Sequence, residues 1–157
     1  MDIYLLRASL AADDSPSVPE AQRYLSLEGR QLVRALGQRL KLTEEPSFDR
    51  VLAGTSPAAV QTAELFADRT DYVGLIEVTA LLSGTTPPEV IAPALLAGGS
   101  SVVVVADEPL LGRLGAFLVG RPTFPPSLHG QVSLIRDRQP AWCLRPGEPA
   151  RAQLLVA

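Results

Sequence analysis

The sequence predicts an α/β protein, a three-layer α/β/α sandwich with a mainly parallel central sheet and an antiparallel edge near the C-terminus. Short apolar runs of strand length alternate with longer segments in which apolar residues recur at helical spacing, which is typical of a parallel sheet covered by helices. Residues 102–105 are four consecutive valines between polar turns, as expected of a strand buried on both faces. Two further apolar runs near the C-terminus have no helical segment between them and predict a hairpin.

The first strand is predicted at residues 3–6, an apolar run that is too short for a helix. Arg7 follows it and would leave the sheet at the carboxyl edge, where open α/β sheets place their ligand crevice. Residues 10–25 contain two prolines and no sustained periodicity, which predicts a long loop of the kind that is often functional.

Two helices are predicted next, on either side of a second strand. Ser26 supplies a hydroxyl cap for a helix at residues 27–41, and the strand follows at Arg50–Ala53. Ser56 and Pro57 mark the start of the second helix. A third strand is predicted around residues 74–80, because residues 72–82 are rich in Val, Ile, Tyr and Thr.

The second half of the chain continues the alternation. Residues 86–89, Thr-Pro-Pro-Glu, predict a capping box for a helix that ends at residues 98–99, Gly-Gly. The valine run follows, and we place it at the centre of the sheet. Asp107 is the predicted N-cap of the next helix, which continues to Gly120.

The C-terminal hairpin is predicted from residues 131–136 and 141–144. The tail from Gly147 onward is expected to be poorly ordered, although residues 154–156 are apolar and could pack against a sheet edge.

Composition excludes several classes of function. The net charge is −3 and the charged residues are scattered, so no nucleic-acid partner is expected. No run approaches the ~18 apolar residues of a membrane span, and the N-terminal residues lack the pattern of a signal peptide. Cys143 is the one cysteine, which excludes a disulfide and suits a reducing, cytoplasmic setting. We expect a single domain over residues 1–157 without a metal or another cofactor. We also expect it to bind a protein partner, and a homodimer is left open.

Three predicted strand ends, at residues 6–9, 52–56 and 105–109, face one crevice. Their order and spacing resemble the histidine phosphatase superfamily, and in length the chain is most similar to the small bacterial phosphohistidine phosphatases of the SixA type. That family has a strand ending in Arg-His-Gly, a Leu-Thr-x-x-Gly helix start, a Ser-Pro-x-x-Arg-x-x-Gln-Thr segment after a second strand, and a hydrophobic strand ending in a histidine two residues before a proline. The matching stretches are residues 6–9, 25–29, 51–62 and 103–109. The resemblance covers nearly the whole chain and implies a phosphoglycerate mutase-like fold.

The departures from these motifs determine the functional prediction. The position of the family's phosphoryl-accepting histidine is Ala8, the second phosphate-binding arginine falls at Ala58, and the second histidine falls at Asp107. Of the family's phosphate-pocket residues only Arg7 remains, so no catalytic residue is expected and the retained positions are interpreted as a binding crevice. That crevice is predicted to comprise Arg7, Ser9, Thr55, Ser56, Asp107 and Glu108.

The charge at these positions is unfavourable for phosphoryl transfer, which depends on positive charge and donors around the transferred group. Two unit charges ~4 Å apart interact by roughly 4 kcal/mol at an effective dielectric constant of about 20, so the Asp107 carboxylate would oppose a phosphate dianion. We expect Arg7 and Asp107 to pair across the vacated crevice, although Asp107 is equally suited to capping a helix.

The main hypothesis is therefore a catalytically inactive histidine-phosphatase-like domain that acts by binding, as a scaffold or regulator. One alternative is an active phosphohistidine or phosphoester phosphatase with a rearranged site that uses His129, although an ordinary surface or strand-end histidine is the favoured interpretation. Another is a small-ligand sensor, since Ala8 and Ala58 leave room in the crevice. Cys143 beside Trp142 is interpreted as a small buried apolar side chain.

Overall fold

The structure, a computed structural model, describes residues 1–13, 17–43 and 47–157. The predicted loop at residues 10–25 is therefore covered apart from residues 14–16, which lie outside the described residues. Short 3₁₀ turns lie at Glu20–Gln22 and Ala80–Leu82. In chain order the strands and helices are β1 (Asp2–Arg7), α1 (Leu27–Leu42), β2 (Arg50–Ala53), α2 (Pro57–Arg69), β3 (Ile76–Val78), α3 (Pro88–Leu96), β4 (Ser101–Ala106), α4 (Leu110–Val119), β5 (Val132–Arg136), β6 (Gln139–Leu144) and β7 (Ala152–Gln153).

The described strands form one sheet in the order β3-β2-β4-β1-β5-β6-β7. Pairing is parallel from β3 through β1 and antiparallel from β1 through β7. The predicted fold class, a mainly parallel sheet with an antiparallel C-terminal edge, is confirmed. The valine run lies in β4, between β2 and β1, so the middle strand is β1 rather than β4.

Helices cover both faces of the sheet and produce two buried apolar clusters. Residues of β1 alternate between them: Ile3 and Leu5 pack on the side of α3 and α4, whereas Tyr4 and Leu6 pack on the side of α1 and α2. The valines of β4 alternate in the same way, since successive strand side chains point to opposite faces. Burial on both faces explains why these strands are continuously apolar.

Two predicted helix caps are confirmed and two are wrong. The hydroxyls of Ser26 and Ser56 accept backbone N–H groups at the starts of α1 and α2. At α3 the N-cap is Pro87, and Thr86 Oγ1 donates instead to the carbonyl oxygen of Ser83 at 3.2 Å. At α4 the N-cap is Pro109, not Asp107, because the helix begins at Leu110.

The sheet edges also differ from the sequence-based expectation. β3 spans only Ile76–Val78 rather than most of residues 74–80, because it pairs with β2 alone and Leu75, 86% exposed, lies outside the ladder. In the tail, β7 pairs with β6, and Leu154 is buried in the core on the α3 and α4 side, which agrees with the expected packing of residues 154–156.

The predicted C-terminal hairpin is confirmed as β5 and β6, with a register shift at residues 134–135. Cys143 is buried in β6, as expected, and burial raises the pKa of its thiol. None of the helices in the described part of the chain combines the length and the apolar character needed to cross a membrane.

Candidate functional site

Four chain segments meet at one edge of the sheet. Arg7 at the end of β1 lies in register with Ala106 at the end of β4, so Arg7 and Asp107 lie at the ends of neighbouring parallel strands. The end of β2 lies beside β4. Because β5 is antiparallel to β1, the residues that precede β5 reach the same edge: Gly130 N donates to Arg7 O at 3.1 Å, and Arg7 N donates to Gln131 O at 3.0 Å.

A cavity of about 310 Å³ opens at this edge, beside a second cavity of about 700 Å³ that shares part of its lining. Of the predicted crevice residues, Thr55 lines only the larger cavity, and the other five line the smaller one. Ala21, in the 3₁₀ turn of the predicted loop, lines both cavities. The smaller cavity is lined by Arg7, Ser9, Ala11, Ala21, Ser56, Ala58, Asp107, Glu108 and His129.

The Arg7 guanidinium is held by a backbone carbonyl rather than by a carboxylate. Its Nη1 donates to the carbonyl oxygen of Ser127 at 2.7 Å, and its Nε is buried without an acceptor among the described residues. The ion pairs formed by the residues that the structure describes do not include Arg7 with Asp107, so the predicted pairing is not observed. The segment before β5 supplies the competing acceptor.

The hydroxyl groups of the crevice serve local structure. Ser9 is buried and its Oγ donates to the carbonyl oxygen of Gly29 at 2.9 Å. Ser56 caps α2, and Thr55 Oγ1 lies 3.0 Å from Ser83 Oγ. Each hydroxyl is engaged by protein groups, and among the residues that the structure describes none has a general base hydrogen-bonded to its oxygen, so these contacts do not arrange any of the three as a nucleophile.

The Glu108 carboxylate links α4 to the segment that holds Arg7. Its Oε1 accepts from Gly112 N at 2.8 Å and its Oε2 accepts from Ser127 N at 3.3 Å. Glu108 therefore stabilises the start of α4 in the way expected of Asp107, which is exposed and lines both cavities. The sequence predicted the wrong carboxylate for the start of α4, because no local pattern places the N-cap at Pro109 rather than at Asp107.

Replacing Glu108 with alanine is expected to lower the free energy of unfolding by about 1–2 kcal/mol, since two backbone N–H groups lose a charged acceptor. Chemical denaturation monitored by circular dichroism measures the loss. Glu108→Gln is the matched control: it keeps one acceptor oxygen and should lose about half as much. An alanine variant as stable as the wild type would contradict the linking role of this carboxylate.

His129 lies in the crevice, where the favoured sequence interpretation did not place it. It is half-buried just before β5, as a strand-end residue should be, but its ring lines the cavity with Arg7. The distance from His129 Nδ1 to the carbonyl oxygen of Ala8 is 3.0 Å. A carbonyl oxygen only accepts, so Nδ1 carries a proton and donates it to this contact. No local sequence pattern indicates this placement, because it follows from the antiparallel pairing of β5 with β1.

Two alanines replace the large side chains that the family resemblance implied, but only one of them borders the cavity. Ala58 lines it at the start of α2. Ala8 is 1% exposed and packs in the apolar cluster beneath α1 and α2. The expectation that both alanines leave room in the crevice therefore holds for Ala58 and is wrong for Ala8.

Comparisons with known proteins identify the fold. No family model and no curated protein matches the sequence. Among solved structures, the protein histidine phosphatase SixA complexed with tungstate superposes with a TM-score of 0.83 at 24% identity, over 93% of this chain and 97% of that chain. A protein described as a SixA phosphohistidine phosphatase from Agrobacterium tumefaciens has a TM-score of 0.73 at 18% identity, over 92% and 98% of the two chains. One from Nakamurella multipartitia has a TM-score of 0.71 at 19% identity, over 94% and 96%. The chain thus has the SixA-like histidine phosphatase fold, as the resemblance implied.

Proposed function

We propose that the protein is a catalytically inactive domain of histidine phosphatase fold that acts by binding in its crevice, in a regulatory or scaffolding role. The observation that supports this function is the lining of the smaller cavity, where two carboxylates, those of Asp107 and Glu108, accompany one guanidinium. A transferred phosphoryl group needs the opposite arrangement, since its stabilisation depends on cations and hydrogen-bond donors.

The missing hydrogen-bond donors disfavour phosphoryl transfer more strongly than the added negative charge does. Asp107 is exposed, so solvent screens its repulsion of an anion to well below the value for a pair inside a protein. By contrast, the alanine at position 58 offers no donor at all, and the buried position 8 carries a methyl group where the family has its nucleophile. Neither deficiency is relieved by solvent.

A second candidate function is phosphoester or phosphohistidine hydrolysis by a rearranged site, and His129 is the observation that favours it. Its Nδ1–H donates to the carbonyl oxygen of Ala8, and the residue lines the same cavity as Arg7. For catalysis, Nε2 would need to reach a phosphorus atom held by Arg7 alone, with two carboxylates in the same lining. The missing donor at position 58 and the methyl group at position 8 make hydrolysis the weaker candidate.

Phosphatase assays on a phosphohistidine protein and on an aryl phosphate distinguish the two candidates. We expect no turnover above the uncatalysed rate for the wild type, Arg7→Ala or His129→Ala, with an active SixA-type phosphatase assayed in parallel as the positive control. Wild-type turnover that disappears in both variants would contradict the proposed function and establish the rearranged site. Turnover lost only in Arg7→Ala would also contradict it, and would assign the chemistry to another group in the crevice.

The proposed setting is the cytoplasm, because Cys143 is a free buried thiol in a chain with no second cysteine. We also propose that the domain binds a protein partner or a second copy of the chain. The surface that we assign to this partner includes the 3₁₀ turn Glu20–Gln22, whose Ala21 lines both cavities.

A further inference from the structure

The chemical character of the crevice points to a particular class of small ligand. We propose that it binds a zwitterion, an α-amino acid or a close analogue, with the carboxylate of the ligand on Arg7 and its ammonium group beside Asp107 and Glu108. This inference rests on the proposed function, because it requires a crevice that binds without transferring phosphoryl groups.

Arg7 is the anion-binding half of the site. A guanidinium carries several N–H donors in one plane, and within the described residues only Nη1 has an acceptor, the carbonyl oxygen of Ser127. The Nε atom is buried without an acceptor in the same part of the chain. An arginine that lines a cavity with so few of its donors engaged favours an anionic ligand, and a carboxylate is one such group.

Asp107 and Glu108 are the cation-binding half. Both line the same cavity as Arg7, and Glu108 is held in place by the N–H groups of Gly112 and Ser127. Asp107 lines the cavity as well and has further interactions of its own. The half-buried Glu108 carboxylate is screened less than exposed Asp107, so it disfavours a dianion on Arg7 and favours a monoanion that carries its own positive group.

The spacing and the volume suit a small ligand. Arg7 is paired with Ala106, so the backbones of Arg7 and Asp107 are one residue apart in register on adjacent strands, and adjacent strands lie about 4.8 Å apart in a sheet. The lining includes the small residues Ala11, Ala21 and Ala58, and the volume is about 310 Å³. The adjoining cavity of about 700 Å³, which also contains Asp107 and Glu108 in its lining, provides room for a ligand side chain.

The test is calorimetric titration of the full chain with a matched series: L-alanine, propionate, L-alaninamide and inorganic phosphate. Glycine, L-serine, L-glutamate and L-arginine extend the series to other side chains. We expect at least one amino acid to bind, and its analogue lacking either the ammonium or the carboxylate group to bind at least about tenfold more weakly, since each analogue loses one charge-assisted contact. Phosphate is expected to bind more weakly than that amino acid.

Two variants assign the halves of the site. Arg7→Gln should weaken amino-acid binding by about tenfold or more, and Asp107→Asn should weaken it less while improving the binding of propionate. Circular dichroism and thermal unfolding of both variants check that they are folded, and Glu64→Gln, on the exposed surface of α2, serves as the matched control that should leave binding unchanged.

The proposal would be overturned if no amino acid binds, if propionate or phosphate binds as tightly as the amino acids, or if binding persists in a folded Arg7→Gln variant. The proposed function is tested by a different measurement, phosphatase turnover in the absence of amino acids. Failure of the zwitterion proposal and failure of the proposed function can therefore be distinguished. Tight phosphate binding without turnover would refute the zwitterion and leave the non-catalytic function intact.

Discussion

Replacing Phe66 with alanine is expected to lower the free energy of unfolding by about 3–5 kcal/mol, the largest effect that we predict for a single substitution. Phe66 is completely buried in α2, on the face that packs against the sheet. Its ring lies 5.6 Å from that of Phe48, which in turn makes an edge contact with Tyr4 of β1 at 5.0 Å. Truncation removes the transfer free energy of the ring and leaves a cavity in a cluster that joins α2, the sheet and the segment before β2.

Urea denaturation monitored by fluorescence and circular dichroism measures this loss. Val73→Ala is the matched control, because Val73 is an apolar residue that is 98% exposed, and we expect a change within about 0.5 kcal/mol. A loss of less than about 1 kcal/mol for Phe66→Ala would mean that α2 does not pack on the sheet as described.

Replacing Gly29 with alanine is expected to destabilise the protein by about 3 kcal/mol and to disturb the crevice. Gly29 lies in the first turn of α1, where an added Cβ would overlap the carbonyl oxygen of Leu10 and lie 3.0 Å from its carbonyl carbon. Both atoms belong to the backbone, so the overlap can be relieved only by moving α1 or the chain after β1. The same contact includes Ser9, whose Oγ donates to the carbonyl oxygen of Gly29 at 2.9 Å.

Gly98→Ala is the control for this substitution. Both changes remove the same backbone freedom from the unfolded chain, but a Cβ at Gly98 meets nothing within 4 Å. Thermal unfolding should therefore separate the two variants, with a lower midpoint only for Gly29→Ala. Equal midpoints would show that α1 does not approach the Leu10 backbone this closely.

The order of strands and helices could be predicted from the sequence because it depends on local patterns. Ser26 and Ser56 precede amphipathic segments and cap them, and the valine run is apolar throughout because it is buried on both faces. The meeting of Arg7, Ser56 and Asp107 could be predicted as well, since the carboxyl ends of parallel strands share one edge of a sheet.

Other features of the site depend on contacts between distant parts of the chain, and only the tertiary structure decides them. The antiparallel pairing of β5 with β1 brings Ser127 to the Arg7 guanidinium and His129 to the cavity, and no local pattern specifies which strand β5 joins. The start of α4 at Leu110 similarly gives the capping role to Glu108 instead of Asp107. Sequence by itself determined which side chains stand at the ends of the parallel strands. Tertiary structure decided which partners those side chains have, because a hydrogen bond depends on atoms that meet only when the whole sheet has formed.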